Sequence, residues 1–175
     1  MDAQRDTDRS LLYHFTALQY VSEIIESGRL EVTASNLKKP NPSRERKYRD
    51  PRTGHPVIGN PEDDAYKPVV WLTSDPDPSG NGLDAITNGP KDLKRRVRIT
   101  IPWQPEFEKW TTWAIKNRID RKWFDRLRAS GGGKSATWYI CERPILLEEV
   151  SVIEDLQTGE VLYKAETFAP TGTDE

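Results

Sequence analysis

Two residues of this 175-residue chain stand where they could do chemistry, His14 and Glu142. His14 lies between Tyr13 and Phe15 in the run Leu11-Leu12-Tyr13-His14-Phe15-Thr16. In a strand its imidazole points to the face opposite those two rings. The next element begins almost at once, so the histidine sits at a strand–helix junction, where it can hold a ligand group. The plainer alternative is a satisfied core histidine. Glu142 closes the run Trp138-Tyr139-Ile140-Cys141, two residues before Pro144. Alternation puts Trp138, Ile140 and Glu142 on one face and Tyr139, Cys141 and Arg143 on the other. A carboxylate at a strand end can accept a sugar hydroxyl and stabilise positive charge developing on the sugar carbon. The plainer alternative is a surface charge paired with Arg143.

Other candidate chemistries fit less well. Gly133-Lys134-Ser135 lacks the glycine of a phosphate loop, since position 128 is arginine. One cysteine and two histidines are too few soft ligands for a zinc site. Cys141 lies in an apolar run, where a cysteine is usually an inert small hydrophobe. Two runs are basic: Lys38 to Arg52 has seven Lys or Arg against Glu45 and Asp50, and Lys91 to Arg98 has five against Asp92. Either could meet phosphates, with a solvated loop or a charged strand edge as the bland alternative.

The elements that must position these residues follow from periodicity. Leu11–Thr16 predicts a strand, and Thr16 is placed to cap the helix after it. Leu18, Val21, Ile24 and Ile25 form a helical stripe over 17–27, ended by Gly28. Leu30 and Val32 predict a short strand. Residues 36–67 and 74–90 are rich in Pro, Gly, Asn and Asp and predict long irregular loops. Residues 68–73 predict a buried strand, and 96–101 a strand with one wet face. Helices are expected over 106–115 and 120–129, the first marked by Phe107, Trp110, Trp113 and Ala114, the second by Trp123, Phe124 and Leu127. Gly131-Gly132-Gly133 stops the second. Strands are expected over 137–141 and, continuously extended, 145–153. A hairpin across Thr158-Gly159 returns through 161–163. Strand and helix, then strands, two helices and strands make an α+β layout.

The expected organisation is a flexible N-terminus over 1–10, one domain over 11–168 and a flexible tail over 169–175. A net charge of −2 excludes a generic nucleic-acid binder. The single cysteine precludes an intrachain disulfide and, with no signal-like or membrane-length apolar run, leads to the expectation of a cytoplasmic protein.

Tyr13-His14-Phe15-Thr16 followed by Ile24-Ile25-Glu26-Ser27-Gly28-Arg29-Leu30 resembles the opening of ADP-ribosyltransferase-like proteins, among them the DNA-targeting toxins and the RNA 2′-phosphotransferases. Val70-Trp71-Leu72-Thr73-Ser74 resembles a later strand of that family. The likeness covers residues 11–35 and 68–74, and residues 136–154 in order and pattern only. It implies a split antiparallel sheet with flanking helices and NAD as substrate. It further implies that His14 bonds a ribose hydroxyl, that the Phe15 backbone holds the nicotinamide amide, and that Thr16 fixes the adenosine side. Trp71 or Thr73 would line the nicotinamide pocket, with Tyr66 or Tyr48 swinging in. Glu142 would orient the ribose and stabilise the cation-like transition state, with Glu148 and Glu149 as rivals. No Glu-x-Glu pair of the arginine-modifying branch stands at the late strand.

Three functions follow as expectations. The first is an NAD-dependent mono-ADP-ribosyltransferase (a glycosyltransferase) acting on a protein or nucleic-acid acceptor, with Arg44, Arg46, Lys47 and Arg49 docking it. The second is an RNA-end or nucleotide phosphate-processing enzyme of the same architecture. The third is a non-catalytic inhibitory module of the phage counter-defence type.

Overall fold

The computed structural model describes residues 11–33, 68–81 and 93–166. The first strand, β1 (Leu11–Thr16), has the bounds its β-prone run predicts. Thr16 makes no side-chain cap. It stays in β1 opposite Val97, a short 3-10 turn covers Leu18–Tyr20, and α1 runs only over Val21–Ser27. Val21 and Ile24 of the stripe are buried, while Ile25 is exposed. Gly28 ends α1 with φ +70°, a left-handed conformation that glycine adopts without a Cβ penalty.

Next come β2 (Arg29–Leu30), β3 (Val70–Thr73) and β4 (Val97–Pro102). The face of β4 expected to be wet is partly closed, because Thr100 is buried beside Tyr13. The expected helix over 106–115 begins late. Glu108–Lys109 forms a short edge strand, β5, paired with Ile140 and Tyr139, and α2 is Trp110–Lys116. Pairing across the sheet overrides the helical periodicity at that end. Phe107, Trp110, Trp113 and Ala114 are nevertheless all buried, as their spacing predicts.

Asp120 caps α3 (Arg121–Ser130), its carboxylate accepting from the Trp123 N–H at 3.0 Å. After the glycines come β6 (Trp138–Cys141) and β7 (Ile145–Leu146). The stretch expected to stay extended to 153 is broken by a 3-10 turn at Leu147–Glu149, where the Glu149 carboxylate accepts from the Leu146 N–H. Then β8 (Val152–Asp155) and β9 (Val161–Lys164) form the expected hairpin.

The fold is α+β. Seven strands form one sheet in the order β5-β6-β3-β1-β4-β8-β9, with β2-β7 as a separate pair, and every pairing is antiparallel. One face of the sheet presents Leu12, Leu72, Ile99, Ile101 and Ile153, which pack with Val21 and Ile24 of α1. On the opposite face, Trp71, Trp138 and Ile140 pack under Trp110 and Trp113 of α2 and Phe124 and Leu127 of α3. No helix among the described residues is long and apolar enough to cross a membrane. The expected flexible ends and the loop over 36–67 lie outside the described residues, as do residues 82–90 of the second loop.

Candidate functional site

The strands that carry the sequence-derived candidates are neighbours. His14 is on β1, Trp71 and Thr73 are on β3, and Glu142 follows β6, in the contiguous order β6-β3-β1. Chain order alone does not give this adjacency, since His14 and Glu142 are 128 positions apart in the sequence and strand pairing is needed to bring them close.

β1 and β3 meet at one registered pair, Tyr13 with Thr73, whereas β1 pairs with β4 along its whole length. At this seam the His14 Nδ1 lies 2.8 Å from the Trp71 carbonyl oxygen. A carbonyl only accepts, so Nδ1 carries the hydrogen and the neutral ring leaves Nε2 as an acceptor. Burial lowers the His14 pKa, and the bond to the Trp71 carbonyl opposes that in part. The ring is therefore neutral at neutral pH and has one open acceptor nitrogen.

Register assigns the remaining side chains to faces. Tyr13, Thr73 and Trp138 are opposite one another and share a face. His14 and Thr16 project from the other face, with Leu12. Trp71 meets His14 through its carbonyl only. Its indole packs against Trp110 and Trp138, with ring centres 6.2 and 5.8 Å away. The Thr73 hydroxyl bonds the Thr137 hydroxyl at 2.8 Å, and Phe15 is buried on the Tyr13 face.

Glu142 is exposed, and its carboxylate accepts from the Trp113 indole N–H at 2.7 Å, on the α2 side of the sheet. The expected Glu142–Arg143 pair does not form. Arg143 makes a two-pronged pair with Glu149 at 2.7 and 2.8 Å and reaches Glu106 at 3.4 Å. That guanidinium holds the Glu149 carboxyl below its ordinary range, so Glu149 is tied into structure. Glu142 lines a shallow pocket of about 220 Å³ with Glu106, Glu108, Trp113 and Arg143. Glu148 lies beyond Arg143 in a second, more open depression. From strand spacing and rise, the His14 and Glu142 backbones are about 14 Å apart. Their side chains leave opposite faces, so the structure does not bring them to one sugar.

Cys141 is buried, and burial pushes its thiol up, as expected of a packing cysteine. Of the 91–98 basic run, Arg96 pairs with Asp155 at 2.7 Å and Arg98 with Glu154 at 3.0 Å, which leaves neither guanidinium open to a phosphate. Tyr66, Tyr48 and the docking residues Arg44, Arg46, Lys47 and Arg49 lie outside the described residues. The sequence reading missed Trp113 as the partner of Glu142. The signal was present: alternation put Glu142 on the Trp138 face, and the tryptophan stripe of α2 had to cover that face.

Comparison with family models, curated proteins and solved structures returns no match to this chain.

Proposed function

We propose that this chain is an NAD-dependent mono-ADP-ribosyltransferase that modifies a protein or nucleic-acid acceptor. One observation carries the reading: His14, at the sparsely paired β1–β3 seam, is fixed by the Trp71 carbonyl in the tautomer that leaves Nε2 as an acceptor. A neutral acceptor nitrogen on a rigid strand suits a ribose hydroxyl, which donates to it. Thr16, at the end of the same strand and on the same face, adds a second polar group.

In the reaction the bond between the ribose carbon and the nicotinamide nitrogen breaks, nicotinamide leaves with the bonding pair, and the acceptor's nucleophile attacks the same carbon. His14 holds and orients the sugar. Glu142 is the carboxylate assigned to stabilise the developing positive charge. Its tie to Trp113 on the opposite face means that this role requires the β6 end to rearrange.

The separation of His14 from Glu142 favours a second reading, in which the same architecture processes a nucleotide or RNA phosphate. Such a site needs His14 and basic residues rather than a carboxylate beside the ribose. The test is nicotinamide release from NAD by the full chain, with and without cell lysate, for wild type, His14→Gln and Glu142→Gln. Release lost in both variants, with folding intact, supports the transferase. Release lost only in His14→Gln removes Glu142 from the mechanism. No release, with no NAD-induced thermal shift, overturns the transferase and leaves the phosphate reading.

A further inference from the structure

The segment that leaves β3, residues 74–81, ties together two parts of the sheet that are sparsely paired with each other. β1 is laddered to β4 through six registered pairs and β3 to β6 through four, whereas β1 and β3 share the pair Tyr13–Thr73. The segment starts directly after that pair and is fastened on both sides. On the β4 side the Arg98 guanidinium donates to the Pro76 carbonyl at 3.2 Å. Arg98 is itself held by Glu154 of β8 at 3.0 Å and lies over the Tyr13 ring, 5.6 Å from its centre. On the β6 side stands Lys134, at the head of the 3-10 turn Lys134–Thr137 that enters β6. Its ammonium lies 2.8 Å from the Asp75 carboxylate and 3.5 Å from that of Asp77. The Trp138 indole N–H donates to the Asn81 side-chain oxygen at 3.0 Å, and the Ser74 N–H to the Thr137 carbonyl at 2.9 Å. The segment is also stiff. Pro76 and Pro78 fix φ at two of its positions. The Asp75 carboxylate accepts from the Asp77 N–H and the Asp77 carboxylate from the Ser79 N–H, both at 2.9 Å. Asp75 thus shapes the segment with Oδ1 and fastens it with Oδ2, and Lys134 holds its carboxyl below the ordinary range.

We propose that residues 74–81 form a strap that sets β3 against β1, and that Lys134, its clasp, is a positioning residue for the open nitrogen of His14. The His14–Trp71 bond crosses the same seam, from β1 to a β3 carbonyl two residues before Thr73. At 2.8 Å it is lost when the strands part by under about 1 Å. The tautomer follows the bond. With the carbonyl in reach the ring hydrogen stays on Nδ1 and Nε2 accepts. Once the carbonyl withdraws, the hydrogen can sit on Nε2, and the acceptor offered to a ligand is gone. As an account of the candidate site this rests on the role proposed for His14. Its test reads the imidazole and not NAD turnover, so failure of the one is distinguishable from failure of the other.

The test is NMR of the His14 ring nitrogens in the full chain, at a pH where the ring is neutral. Lys134→Met removes the charge and keeps the stem. Asp75→Asn removes the charge and keeps an acceptor for the Asp77 N–H. In both variants the share of rings with the hydrogen on Nε2 is expected to rise by about 2- to 5-fold, the scale set by a partly exposed ion pair. Lys134→Arg keeps a cation at the clasp and is expected to retain the wild-type tautomer. Arg121→Gln removes the Arg121–Asp125 pair on α3 and is expected to leave the ring unchanged. A share unchanged in the folded form of both Lys134→Met and Asp75→Asn overturns the proposal, even where Tm falls. So does an equal rise in Arg121→Gln or in Lys134→Arg, or a wild-type ring with its hydrogen on Nε2. Should Lys134→Met fail to fold, Asp75→Asn decides alone.

Discussion

Trp110 offers a direct test of how the sheet is held beneath the candidate site. It is fully buried, its indole N–H donates to the Ser135 carbonyl at 2.6 Å, and it stacks on Phe124 with ring centres 4.7 Å apart. Trp110→Phe keeps an aromatic ring but removes the donor. The buried Ser135 carbonyl then loses its partner, at about 1–3 kcal/mol. The smaller ring loses about 1 kcal/mol of burial. The expected cost is about 2–4 kcal/mol, which for a chain of this length lowers Tm by about 4–16 °C. Trp123→Phe is the matched control. The Trp123 indole nitrogen is buried and has no hydrogen-bond partner. Deleting that donor removes an uncompensated desolvation penalty, so the change is expected to cost under about 1 kcal/mol or to stabilise. Both variants are measured by urea unfolding followed by far-UV circular dichroism. If Trp110→Phe is no more destabilising than Trp123→Phe, the argument from the Ser135 hydrogen bond is wrong.

Two pH effects follow from the ionisable groups. His14 has a folded pKa below its ordinary 6.5, so as pH falls through 6.5 the unfolded chain takes up protons that the folded chain does not. Its contribution to stability is complete above 6.5 and declines as acid is added, and the His14 ring resonance is expected to titrate below 6.5 by NMR; a midpoint at or above that value contradicts the tautomer and burial argument. Asp155 is held at about 2, chiefly by the Arg96 hydrogen bonds. Its contribution is complete above the ordinary carboxylate range and is lost as pH falls towards about 2, so the Tm gap between wild type and Asp155→Asn is expected to close over that interval; a gap unchanged from pH 5 to about 2 would remove the ion pair from the stability of the β4–β8 pairing.

Local signals carried much of this fold. The β1 bounds, the Gly28 stop, the Asp120 start of α3 and the two tryptophan-marked helices could be read from short windows, because each depends on neighbours within a turn or two. What the windows did not give depends on non-local pairing. Glu108 and Lys109 sit in a helical pattern but become strand because the β6 edge is there to pair with them. Arg143 prefers Glu149, whose position is set by a 3-10 turn that periodicity does not announce. For the candidate site, the residue types and strand adjacency were legible but the faces were not related. Alternation fixes sides within a strand, and only the Tyr13–Thr73–Trp138 register shows that His14 and Glu142 leave opposite sides.

The seam between β1 and β3 also affects how the molecule bears load. Elsewhere the strands are joined by ladders of directional hydrogen bonds, which resist sliding and rotation. Here one registered pair and one imidazole–carbonyl bond span the join, and the rest of the grip comes from Leu12, Leu72 and Ile99 on the apolar face. Contact between hydrocarbon surfaces has no preferred direction. The sheet is therefore joined along this line more by apolar packing than by backbone hydrogen bonds, and His14 supplies one of the few directional ties across it.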